Sequence, residues 1–97
     1  MLTAQDARTL TEASIEKMAK EFIANCVQTK VQDATDDGHY FCSASLYCID
    51  NNISNPKAVG PEVVKQLEKL GYKATFTYCD NGPRVEAYVT IDWKPED

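Results

Sequence analysis

Apolar residues recur along this chain with two different periods. From Thr3 to Gln32, Leu10, Ile15, Met18, Phe22, Ile23, Cys26 and Val27 return every three or four positions, with Thr11, Glu12, Glu16, Lys17, Lys20 and Glu21 between them. That spacing predicts an amphipathic helix. Thr3 followed by Asp6 has the Ser/Thr-x-x-acid form of a helix start, and Glu16–Lys20 is an i,i+4 pair in the favourable order. A helix of this span would be roughly 42 Å long, more than a compact domain of this size can cover. Either its first turns bend away near Thr9–Thr11, or part of it projects and needs a partner.

Beyond the turn chemistry of Asp33-Ala34-Thr35-Asp36-Asp37-Gly38 the period falls to two. Tyr40 to Ile49 reads as a strand, with Tyr40, Cys42, Ala44, Leu46 and Cys48 on one side and Phe41, Ser43, Ser45 and Tyr47 on the other. Asp50 to Asn55 is loop by composition. Pro61 suits the first position of a second helix with the stripe Val63, Val64, Leu67 and Leu70, and Gly71 is placed to stop it. Pro56 to Val59 is either one more turn of that helix or loop. A hairpin closes the chain: Tyr72–Cys79, the turn Asp80-Asn81-Gly82-Pro83, then Val85–Trp93.

The order is α-β-α-β-β. The last strand is the longest and most regular, so it belongs in the middle of a three-stranded sheet. Both helices then cover the face carrying Leu46, Phe76, Val85, Val89 and Ile91. The expected class is α+β, a single two-layer domain over residues 1–97 with a long N-terminal helix, about residues 3–32, that either bends or projects.

The opposite sheet face is left bare. It carries Phe41, Ser43, Ser45 and Tyr47, then Lys73, Thr75, Thr77 and Cys79, then Glu86, Tyr88, Thr90 and Asp92. Hydroxyls and tyrosines suit either water or another protein surface. Phe41 lacks a covering layer, the sheet has two open edges, and the first helix is long. These point to an assembly subunit, with Phe41, Ser43, Ser45, Tyr47, Thr75, Thr77, Tyr88 and Thr90 as contact residues.

Composition narrows the classes. The chain has 97 residues, 43% hydrophobic and 26% charged, enough for one modest core. A net charge of −5 has the wrong sign for binding nucleic acid by bulk electrostatics, and no apolar run reaches the length of a membrane span. The N-terminus lacks the blocks of a secretory signal, so the four cysteines, Cys26, Cys42, Cys48 and Cys79, are expected to be reduced. None has metal-knuckle spacing, and no cofactor or metal is expected.

Candidate chemistry adds little. Asp33, Asp37 and Gly38 match positions one, five and six of a calcium loop, but Ala44 stands where a bidentate Glu is required. His39 beside Asp36 and Asp37 has no companion nucleophile nearby except Ser43 or Cys42, and those lie on opposite strand faces. Arg8, Lys73 and Arg84 are the candidate anion-facing groups, able to hold a phosphate or carboxylate across a subunit boundary. No catalytic constellation is present, so no enzyme is expected.

Three short motifs carry a resemblance: Thr3-Ala4-x-x-Ala7-Arg8, Leu67-x-x-Leu70-Gly71-Tyr72 and Ile91-Asp92-Trp93. They resemble short α+β proteins encoded by tailed bacteriophages, although Asp92 stands where that family more usually has Ser. The resemblance implies a phage origin and a small non-enzymatic role, and assigns no site residue. The expected function is a virion structural or accessory protein, capsid-decorating or tail-associated, that forms homo-oligomers and contacts other phage structural proteins. The alternative is a soluble oligomer in the infected bacterial cytoplasm that sequesters a small ligand or host factor, using Arg8, Lys73, Arg84, Tyr47 and Tyr88.

Overall fold

The computed structural model describes residues 1–47 and 53–95. It opens with a helical rod in three pieces: α1 (Ala4–Phe22), a π-helical segment (Ile23–Val27) and α2 (Gln28–Asp36). Thr3 caps the rod, its Oγ1 accepting from the Asp6 N–H at 3.1 Å. No bend occurs at Thr9–Thr11; the two hydroxyls fold back onto the carbonyls of Gln5 (3.1 Å) and Ala7 (2.8 Å), and the helix runs through. It also runs past the predicted end at Gln32 to Asp36. Ala34 is buried in the last turn, and the stop comes from Gly38, whose φ of +79° lets its N–H reach Thr35 O (3.1 Å) and the His39 N–H reach Ala34 O (2.8 Å).

Residues 4–36 in helical geometry span about 50 Å, which accounts for the longest molecular extent, 52 Å. The radius of gyration is 14.8 Å, against about 12.5 Å for a compact chain of this length. The excess lies in α1, where every residue from 4 to 14 is exposed.

The strand β1 is Phe41–Ser45, shorter than the predicted Tyr40–Ile49. Tyr40 precedes it in a bend and is exposed; Cys48, Ile49 and the loop to Asn52 lie outside the described residues. Leu46 leaves the ladder but still donates to Ala87 O at 2.9 Å and is buried.

The second helix, α3, is Pro56–Lys69, so Pro56 to Val59 is the extra turn at its start and not loop. Pro56 takes the first position, where its missing N–H is no loss. Val59, Val63 and Leu67 then form one buried stripe. Pro61 sits inside the helix on its exposed side, where water can take the carbonyl left without a donor. Leu70, expected in the stripe, is the C-cap and is 67% exposed. Gly71 (φ +94°) closes α3 as expected: its N–H bonds Glu68 O (3.0 Å) and the Tyr72 N–H bonds Leu67 O (3.2 Å).

The strands β2 (Lys73–Asn81) and β3 (Arg84–Asp92) form a hairpin on a Gly82-Pro83 loop. Gly82 has a φ of +76° at the first central position, as a primed turn requires. The sheet order is β1-β3-β2, entirely antiparallel, with the last strand central. The fold is α+β, as the residue pattern predicts.

Against one sheet face, α2 packs on β1 while α3 packs on β2 and β3; α1 lies along α3, tied by Gln66 Nε2 donating to Glu16 O at 3.2 Å. One core joins these elements: Ala19, Phe22, Cys26 and Val27 from the rod, Val59, Val63 and Leu67 from α3, and Ala44, Leu46, Ala87, Val89 and Ile91 from the sheet side. Val85, expected in this core, is 39% exposed because the hairpin end extends past the helices, and Ala87 is the buried residue there. Trp93 packs edge-on to Tyr72, with centroids 6.0 Å apart, and its backbone N–H donates to Tyr40 O at 2.9 Å.

Candidate functional site: the open sheet face

Strand register brings the predicted contact residues together. Because side chains alternate, odd positions of β1 and β2 and even positions of β3 share the face opposite the helices. Phe41, Asp92 and Lys73 form one row across the sheet, Ser43, Thr90 and Thr75 the next, and Ser45, Tyr88 and Thr77 the third. Glu86 with Cys79, then Arg84 with Asn81, continue it over the hairpin. Tyr47 lies past the end of β1 in a bend and is exposed.

The face is mostly hydroxyl, with an aromatic at a corner and another in its middle. Phe41 is 60% exposed, with the His39 ring beside it at a 6.0 Å centroid distance. Tyr88 and Thr90 are half-buried on the central strand. Two groups are turned to backbone. Ser45 Oγ donates to Ala87 O (3.5 Å) and accepts from the Tyr47 N–H (3.2 Å), fixing the exit from β1. Asp92 Oδ1 accepts from the Lys94 N–H at 2.8 Å, fixing the exit from β3. These bonds satisfy the strand ends of the patterned face.

The candidate anion-facing groups are not brought together within one chain. Arg8 lies on the exposed part of α1, its Nη1 donating to Gln5 Oε1 at 3.2 Å. Lys73 sits opposite Asp92 and Arg84 opposite Asn81, at opposite ends of the hairpin and so roughly 27 Å apart.

The acidic turn works as a helix stop: Asp37 is the C-cap of α2, and His39 gives its backbone N–H to the motif described above. Among the described residues, no group of three or more His, Cys, Asp or Glu could hold a metal ion, and no helix is long and apolar enough to cross a membrane.

Among the described residues, Cys26, Cys42 and Cys79 carry thiols and not disulfides. Burial pushes the Cys42 thiol above its ordinary range, and Lys30 pulls it part of the way back. The thiol form is therefore favoured by folding. Its contribution to stability is complete below the ordinary thiol pKa and fades as pH rises through the raised value. Iodoacetamide at neutral pH should alkylate Cys42 at least about tenfold more slowly in the native protein than in urea. Equal rates, read by peptide mass spectrometry, would contradict its placement.

A second apolar surface was not legible in the sequence. Ile23, Val27, Val31, Leu67, Leu70 and Tyr72 line a cleft of about 330 Å³ between the rod and the end of α3. Its lining is drawn from two helices and a strand entry, so no single stretch of sequence announces it. Comparison with protein-family models, with curated proteins and with solved structures found no match.

Proposed function

We propose that this chain is a structural or accessory subunit of a bacteriophage particle, decorating the capsid or associated with the tail, and that it works by protein–protein contact. The observation that carries the reading is the open sheet face. Its rows of Ser and Thr around Tyr88, with Phe41 at the corner, offer area and hydrogen-bonding groups without a catalytic cluster. Tyr and Phe give large contact area at small entropic cost, and hydroxyls adapt to a polar partner. The exposed first turns of α1 add a second surface beyond the body of the domain. The phage assignment itself rests on the three short motifs that frame the chain, and with it the particle as the place where the protein acts. In this reading the chain performs no reaction, and its partners are further copies and other proteins of the particle.

Mass spectrometry of purified virions tests the proposal. The chain should be present at a stoichiometric, many-copy level. Particles that package DNA normally and lack it would overturn the reading.

A further inference from the structure

The two edges of the sheet are not alike. The edge strand β1 is five residues long, and very short edges are one way proteins discourage pairing with other chains. The other edge, β2, is nine residues long and pairs with β3 at every position without a bulge. It contains no proline. Its charges stand at the ends, Lys73 at one and Asp80 near the other, with Ala74, Thr75, Phe76, Thr77, Tyr78 and Cys79 between. These are mostly strong strand formers. Among the described residues, no backbone bond from 74–81 reaches beyond the hairpin.

We infer that β2 is a dimerisation edge, and that its partner is the β2 strand of a second copy, antiparallel about a two-fold axis normal to the sheet at Thr77. Thr77 is the midpoint of the strand, so this register pairs all of Lys73–Asn81. Thr77 then faces Thr77 of the second copy, Phe76 faces Tyr78, and Thr75 faces Cys79. Charge favours the antiparallel sense. Each Lys73 comes to the strand end that carries Asp80, whereas parallel pairing would set lysine on lysine and aspartate on aspartate.

The helix layer fits the same axis. Helix α3 packs on both β2 and β3. With its axis midway between them, the two copies of α3 lie about 10 Å apart and antiparallel, the spacing of packed helices. Lys57, Pro61, Val64 and Glu68 share one flank of α3, and Lys57 Nζ lies 4.5 Å from the Tyr78 ring centroid, which puts that flank on the β2 side. That flank then faces its counterpart on the second copy. The result is a six-stranded sheet with the hydroxyl faces of both copies on one side.

This pairing deepens the proposed assembly role but is read on the purified chain, so the two can fail separately. Sedimentation velocity over a concentration series should show a dimer. Thr77→Lys places a charge in the middle of the edge on the open face, and should raise the dimer dissociation constant more than about tenfold with an unchanged circular dichroism spectrum. Hydrogen exchange on the unmodified protein gives a reading that needs no substitution: amides within 73–81 should slow as concentration rises. A monomer up to about 1 mM, or a dimer in which exchange over 73–81 is independent of concentration, would overturn the inference. A dimer absent from virions would instead overturn the function and leave the pairing intact.

Discussion

Phe22→Ala is expected to remove about 3–5 kcal/mol of folding stability, the range for deleting a large, fully buried aromatic. Phe22 has 0% exposure and ends α1 where the rod meets the core. A chain of this length has roughly 5–15 kcal/mol in total, so the variant should melt tens of degrees lower or fail to fold at 37 °C. Urea denaturation followed by circular dichroism measures the loss. A change below about 1 kcal/mol would mean that the rod does not dock in this register, and with it the placement of Ala19, Cys26 and Val27 would fall.

Gly60→Val should also be damaging. Gly60 is buried where α3 crosses β2, and a Cβ there would run into Cγ, Cδ1 and Cε1 of the Phe76 ring. The ring is rigid and is struck along its Cδ1–Cε1 edge, so it must swing aside. Overpacking of this kind costs about 1–3 kcal/mol, and valine restores only a few tenths through helix propensity. The net loss should be about 2 kcal/mol. In a Phe76→Ala background the penalty should largely vanish, because the obstructing ring is gone. A Gly60→Val protein as stable as the parent, by the same urea titration, would show that helix and strand do not approach this closely.

How far the fold could be read beforehand depended on how local its causes are. The bare face was legible in residue numbers: alternation along Phe41–Ser45, Lys73–Cys79 and Glu86–Asp92 sorts side chains to one side whatever the register. The stop at Gly71 was legible too, since a left-handed residue after an apolar stripe has few other uses. The start of α3 is ambiguous in sequence because Pro56 and Pro61 both satisfy the first-position rule, and only the four-residue step from Val59 to Val63 to Leu67 separates them. Val85 was placed in the core because alternation cannot say how far the covering helices reach. The extent of β2 as an edge, and the cleft beside Leu70, needed the third dimension.

The π-helical segment at Ile23–Val27 had no marker at all, since no glycine or proline lies within it. It occurs where the rod passes from α3, against which α1 packs, to β1, against which α2 packs. A helical residue advances the chain by about 100° in azimuth, so the wider turn acts as a shim between two docking sites with different bearings. It phases everything upstream: the compass heading of Leu10 and Arg8 relative to the strands is set ten or more residues away from them. The same five residues wound as ordinary α-helix would hold the arm with its outward side chains swung through about a quarter of a revolution. Whatever meets the tip of the arm therefore reads a direction written at its base.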